Sequence, residues 1–177
     1  ADIAKRGVKP SEFLSQQAFD NAIRVLLAVG GSTNAIIHLA AMAGRSGHDV
    51  SLDRLDKMAR EVPVIVDLKP SGTGYMEDLH NAGGLVRILD ALGDLIDKDA
   101  ITVSGKTLGE ELTRYSANWP QEVVRSTDSP LFAEGGLAVL YGNLAPDGAI
   151  IKAAAASPAA HKCHRRQIRL LPGCYEK

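Results

Sequence analysis

At 177 residues, with 45% apolar and 23% charged side chains, the chain has the balance of a globular protein and the length for one good core, or one core and part of a second. A net charge of −1 and an aromatic content of 5% argue against a nucleic-acid footprint, an anionic-membrane surface or a platform for stacking bases. The longest apolar run, after Asn34, is interrupted by His38 and ends at Gly44, too short to span a bilayer.

Residues 1–10 read as a lead-in without a secretory pattern, and an opening on Ala1 fits a processed chain or an excised piece. Ser11 and Glu12 predict the start of a first helix, along which Phe13/Leu14, Ala18/Phe19, Ala22/Ile23 and Leu26/Leu27 recur at four-residue steps. Gly30-Gly31-Ser32-Thr33-Asn34 then breaks the pattern. The following run, residues 35–43, is apolar almost all round and predicts a helix buried on every side. Two glycines open backbone angles closed to other residues, and Ser32, Thr33 or Asn34 can cap that helix. Its N-terminus, with free N–H groups and a positive dipole end, suits a carboxylate or phosphate. The plainer alternative is a helix–turn–helix junction with an ordinary cap.

Leu52, Leu55, Met58/Ala59 and Val62 predict a short amphipathic helix stopped by Pro63. Val64-Ile65-Val66 fits a buried strand of a parallel sheet, followed by a polar loop over residues 67–74. A helix is predicted from Tyr75-Met76-Glu77-Asp78, with Gly83-Gly84 marking a kink, a break or a close backbone approach. Ile101-Thr102-Val103 suggests a short strand, and Thr107-Leu108-Gly109-Glu110 a capping box with a helix behind it. From Trp119 turn residues multiply and apolar runs shorten to residues 137–141 and 149–151, a β-type texture. A domain boundary is expected near residues 122–132.

Candidate chemistry is sparse. Glu77 and Asp78, adjacent acids beside a Gly-rich loop, suit a substrate or metal contact, or simply complement a helix dipole. His38 reads as a core histidine, and His80 points away from Asp78. Lys69 and Ser71 can meet an anionic substrate. His161-Lys162-Cys163-His164 lacks the two spaced ligand pairs of a structural zinc site. Cys163 and Cys174 form neither a Cys-x-x-Cys pair nor a disulfide framework, so a reducing cytoplasm is expected. No nucleophile elbow or P-loop occurs.

Several stretches together resemble the dihydroxy-acid and sugar-acid (phosphogluconate, arabinonate, xylonate) dehydratase family. They are Gly30-Gly31-Ser32-Thr33-Asn34 with His38-Leu39, the run from Pro63 through Pro70-Ser71-Gly72, and Met76-Glu77-Asp78 with Ala82-Gly83-Gly84. Thr102-Val103-Ser104-Gly105-Lys106-Thr107-Leu108 and the stretch from Gly135-Gly136 to Pro146-Asp147-Gly148 complete the set. The similarity covers residues 16–158. It implies removal of water from a 2,3-dihydroxy carboxylic acid to give a 2-keto acid. An iron–sulfur cluster would act as Lewis acid on the departing 3-hydroxyl, Mg2+ would hold the carboxylate and 2-hydroxyl, and a serine would take the C2 proton.

None of those cluster cysteines, metal ligands or the serine base maps onto a residue here. The expectation is therefore a central fragment of such a hydro-lyase, inactive alone and binding neither cofactor by itself. The implied fold is α/β: part of a parallel-sheet catalytic domain (1–125), the first strands of a β-barrel-like domain (126–158), and a divergent, disordered tail (159–177) that a shifted reading frame would explain. Ser32, Thr33, Asn34, Glu77 and Asp78 are the candidate substrate-binding or supporting residues, with no catalytic or metal residue assigned. The implied partner is a small hydroxy acid, not nucleic acid or membrane, and the full-length family is expected to be homo-oligomeric. The loop 68–74 and the direct connection over 119–128 lean towards sugar acids. The alternatives are a non-catalytic anion-binding or subunit module using the helix start at Ser32, Thr33 and Asn34, and an anion-binding enzyme of another family.

Overall fold

The computed structural model describes residues 2–115, 119–156 and 167–168. Two short helices, α1 (Asp2–Lys5) and α2 (Pro10–Phe13), precede α3 (Gln16–Val29). The chain breaks between α2 and α3, so the main helix starts later than Ser11. Its N-cap is Ser15, whose Oγ accepts from the Ala18 N–H at 3.2 Å. Phe19, Ile23 and Leu27 repeat at four-residue steps and bury one face of α3. Helix α4 (Thr33–Arg45) follows, then α5 (Leu52–Glu61), which is capped by Ser51 and buries Leu55, Met58 and Ala59.

Helix α4 corrects the expectation of burial on every side. Ile36 and Ala43 are buried, but Ile37 is 67% and Met42 48% exposed, and His38 lies in the exposed arc instead of the core. The inner face packs on α3. Apolar composition gives a helix two faces that can be covered, and among the described residues only one is.

Residues 64–66 are fully buried, as an apolar β-branched run should be, but their pairing differs from a parallel strand. Val64 bridges Phe132 and Val66 bridges Val124, both antiparallel. The Ile65 N–H donates to the Ala28 carbonyl at the end of α3 (3.0 Å), and the Ile65 carbonyl accepts from the Arg125 N–H (2.8 Å). A parallel partner would need a crossover arriving in the same direction. The segment that arrives alongside, after the remaining helices, runs the other way. Its backbone groups are nonetheless paired on both sides, which is what burial demands.

Helix α6 (Met76–Asn81) stops before Gly83 (φ 111°) and Gly84 (φ 61°), and α7 (Gly84–Leu92) starts afresh. The two glycines are thus a helix break, in backbone angles that side chains resist. Ile101 pairs with Thr107 in a single antiparallel bridge, less than a strand. The capping box opening α8 (Leu108–Arg114) is present: the Glu110 N–H donates to Thr107 Oγ1 (3.2 Å) and the Thr107 N–H to Glu110 Oε2 (2.8 Å). Strands β1 (Ala138–Gly142) and β2 (Ala145–Ile151) form an antiparallel hairpin, and β3 (Gln167–Ile168) pairs parallel to β1. The hairpin lies against α5, where the Tyr141 hydroxyl donates to Asp53 Oδ1 (2.8 Å). One apolar cluster runs from Ile23 and Leu27 through Leu55, Ile65 and Leu92 to Leu137 and Val139, so helices and hairpin share a core. The expected disordered tail (159–177), with its His161–His164 cluster and both cysteines, falls outside the described residues apart from β3. Among the described residues, no helix is long and apolar enough to cross a membrane.

Buried polar residues fix how α3 meets its neighbours. Asp20 accepts from Arg54 Nε (2.9 Å) and Gln16 Nε2 (3.0 Å), tying α3 to α5. Asn21 exchanges two 2.8 Å bonds with the Asp97 backbone. Asp20→Ala is expected to cost about 2 kcal/mol, the range for hydrogen bonds to charged groups, because it strips Arg54 of its partner. Thermal melting checks this; an unchanged midpoint would show that the pair adds nothing.

Candidate active site

The site is built where α3 ends. Gly30 closes the helix in the left-handed conformation (φ 61°, ψ 49°), a C-cap that L side chains resist. The Gly31 N–H donates back to the Leu26 carbonyl at 2.9 Å, and a Cβ on Gly31 would lie 2.2 Å from Leu26 Cδ1. The chain then turns at once into α4. Ser32 is its N-cap, with Oγ accepting from the Asn34 N–H at 3.2 Å. Among the described residues the Ser32 and Thr33 N–H groups find no acceptor, nor do the Thr33 and Asn34 side chains find a partner. The trio thus divides: Ser32 caps, while Thr33 and Asn34 keep their polar atoms available beside a helix N-terminus.

Two distant segments converge on this elbow. Gly136 crosses Gly30 so closely that a Cβ on Gly136 would sit 2.3 Å from Gly30 Cα. Its N–H donates to the Leu27 carbonyl (3.1 Å), and its own carbonyl accepts from the Ala154 N–H (3.2 Å). From the other side, Ser71 Oγ lies 3.1 Å from where a Gly30 Cβ would be; that hydroxyl is buried and has no hydrogen-bond partner among the described residues. A cavity of about 220 Å³ lined by Glu134, Gly135, Ala138 and Ala154 opens next to the crossing.

Asp67 holds the loop that brings Ser71 in. Its Oδ1 accepts from the Thr73 N–H (2.6 Å) and hydroxyl (3.2 Å), and Arg125 reaches Oδ2 at 3.6 Å. The loop wraps so tightly that a Cβ on Gly72 would lie 2.1 Å from Asp67 Oδ1. The Thr73 N–H bond, with the Thr73 hydroxyl and the Arg125 charge, holds the Asp67 carboxyl below the usual carboxylate range despite partial burial. A depressed folded value contributes stability that is full above the unfolded carboxylate range, about pH 4, and is lost as pH falls through the folded value. Melting midpoints between pH 7 and pH 3 should therefore fall more steeply in the parent chain than in Asp67→Asn. Parallel acid limbs would contradict this role for Asp67.

The second candidate pair behaves differently. Asp78 caps α6, accepting from the Tyr75 N–H at 2.7 Å, which is the helix-dipole role open to it from sequence. Glu77 is exposed and makes no hydrogen bond or ion pair among the described residues. Lys69 lies 4.0 Å from the Tyr75 ring centroid and bonds its hydroxyl, so its charge is held at the loop's edge. Gly136, which enters the sequence analysis only as part of the family resemblance, and Asp67, only as the start of a loop, are not among its candidate site residues. Gly135-Gly136 looks like an ordinary turn, and an aspartate before a loop rich in small residues is the only local sign of Asp67.

Among the described residues no group of three or more His, Cys, Asp or Glu side chains comes together in a way that could hold a metal ion.

The family model described as dihydroxy-acid/6-phosphogluconate dehydratase N-terminal matches residues 1–111, and its C-terminal counterpart matches residues 122–170. The second match runs past residue 158, where the sequence reading had the pattern depart. The chain is 51% identical over 158 residues to an L-arabinonate dehydratase of Rhizobium leguminosarum bv. trifolii, covering 88% of this chain and 27% of that protein. It is 46% identical over 170 residues to an L-arabonate dehydratase of Azospirillum brasilense, covering 94% and 29%. It is 46% identical over 155 residues to a dihydroxy-acid dehydratase of Synechococcus sp. (strain CC9605), covering 85% and 28%. The chain thus spans little more than a quarter of the length of these relatives.

Proposed function

Because the chain belongs to the dihydroxy-acid/6-phosphogluconate dehydratase family, we propose that it forms part of a hydro-lyase that dehydrates a 2,3-dihydroxy carboxylic acid to a 2-keto acid. In that reaction the C2 proton and the C3 hydroxide leave together as water, and the resulting enol becomes the ketone as its hydroxyl proton is lost and C3 takes one up. The elbow at Gly30–Gly31 is the part of this chain that faces the substrate.

The observation carrying this reading is the crossing of Gly30 and Gly136 beside unpaired N–H groups at the start of α4. It joins a segment of the N-terminal region to one of the C-terminal region at a point suited to an anion. The free N–H groups of Ser32 and Thr33, with the helix dipole behind them, take the substrate carboxylate. The Thr33 hydroxyl and Asn34 amide, both without a partner among the described residues, orient substrate hydroxyls. Glu77, exposed at the start of α6, offers a hydroxyl acceptor, and Asp78 supports it by capping that helix. The boundary between the two regions falls near residues 122–132. Neither cofactor implied by the family resemblance is assigned to these residues.

A chimera tests the proposal. Residues 16–156 would replace the matching stretch of the R. leguminosarum L-arabinonate dehydratase, and turnover would be followed on L-arabinonate and on a branched 2,3-dihydroxy acid. Retained 2-keto-acid formation on either is the expected result, with the sugar acid preferred. A folded, cofactor-loaded chimera that turned over neither would overturn the reading.

A further inference from the structure

Asp147-Gly148 takes no part in the elbow. It is the chain's one Asp-Gly pair; every other aspartate is followed by a residue with a side chain. Both residues belong to β2 but stand outside its paired register. The pairing steps from Gly142 with Ala145 to Leu140 with Ala149, so Tyr141 alone faces Pro146, Asp147 and Gly148. Extra residues in such a bulge are left out of the ladder. Asp147 is exposed, and Gly148 takes φ 95°, a conformation that side chains resist.

The other face of the bulge is tightly packed. A Cβ on Gly148 would lie 2.6 Å from Leu52 Cδ1 and 3.0 Å from Tyr141 Cε1. Leu52 opens α5, and the Tyr141 hydroxyl bonds the neighbouring Asp53 at 2.8 Å. The length of backbone at 147–148 therefore sets how the hairpin sits on α5.

We propose that Asp147 is a site of spontaneous backbone isomerisation, and that the change unseats the hairpin from α5. The Gly148 backbone nitrogen attacks Asp147 Cγ and gives up its proton, and a carboxyl oxygen leaves as water, closing a succinimide. Water then opens the ring. Breaking the new N–Cγ bond restores aspartate. Breaking the old bond to the main-chain carbonyl carbon leaves Gly148 joined through Cγ, as isoaspartate. No atom is gained or lost overall, but the backbone is longer by one methylene. A glycine leaves the attacking nitrogen unshielded, and the bulge leaves the aspartate without a ladder partner to hold it. The proposal does not depend on the role given to the elbow.

Ageing the folded chain at neutral pH tests it. Isoaspartate is labelled with an isoaspartyl methyltransferase and S-adenosylmethionine and located by peptide mass spectrometry, and aged and fresh protein are melted side by side. The expected result is more label in the peptide holding Asp147 than in all other aspartate peptides together, with that label lost in Asp147→Glu. The isomerised fraction should melt at a lower temperature than fresh protein. Label spread evenly over the aspartates, or acquired at Asp147 only by urea-unfolded chain, would overturn the proposal. An isomerised fraction that melts with fresh protein would overturn it too.

Discussion

Gly136→Ala should lower stability by about 3 kcal/mol, the upper part of the usual range for forcing an extra carbon into a packed interior. The obstacle explains the size of the effect. The new Cβ would lie 2.3 Å from Gly30 Cα and 3.2 Å from Gly30 N. Backbone cannot swing aside as a side chain does, and Gly30 is itself pinned by the left-handed turn that ends α3. One segment has to move, and either movement strains the bond from the Gly136 N–H to the Leu27 carbonyl. For a chain of this size the melting midpoint should fall by about 9 °C. Gly44→Ala is the matched control: that glycine sits in α4 with no atom within 4 Å of an added Cβ. There alanine should stabilise, by about 1 kcal/mol, through helix propensity. Equal effects at the two positions would show that the crossing is looser than described.

Leu27→Ala should cost more, about 4 kcal/mol within the 2–5 expected for emptying a closed core site. Leu27 is fully buried, and its side chain is the wall against which Gly135 packs, a Cβ there lying 3.0 Å from Leu27 Cδ2. Its carbonyl accepts from both Gly30 and Gly136. The side chain thus supports the elbow and the core together. Its removal opens a cavity among groups already fixed by backbone hydrogen bonds, which can relax little. Chemical denaturation of the two chains measures the difference; a loss below 1 kcal/mol would mean that the site collapses freely.

What the sequence made legible was local. The Thr107 capping box depends on residues within a few positions of one another and appears where it was expected. Gly83-Gly84, open between a kink, a break and a close approach, is a break, and the β-type run from residue 137 becomes strands β1 and β2. Burial of residues 64–66 was also readable, because an unbroken β-branched run has no face to show water. Its pairing direction was not, since that depends on which distant segment returns beside it. The exposure of Ile37 and Met42 was hidden for the same reason: composition says that a face can be buried, not that something covers it. The family resemblance pointed to Ser32, Thr33 and Asn34, but could not separate them. Only the fold shows Ser32 engaged as a cap and, among the described residues, Thr33 with no partner for its hydroxyl.

That free hydroxyl gives the most direct measurement. Thr33→Val preserves the shape of the side chain and removes one oxygen that makes no hydrogen bond within the described residues. In the dehydratase chimera carrying residues 16–156, steady-state kinetics and thermal melting would be run side by side on parent and variant. The account predicts that kcat/KM on the preferred hydroxy acid falls by about tenfold, a loss of about 1.4 kcal/mol of transition-state stabilisation, with the melting midpoint essentially unchanged. Unaltered kcat/KM in a folded variant would contradict a substrate-facing role for the start of α4.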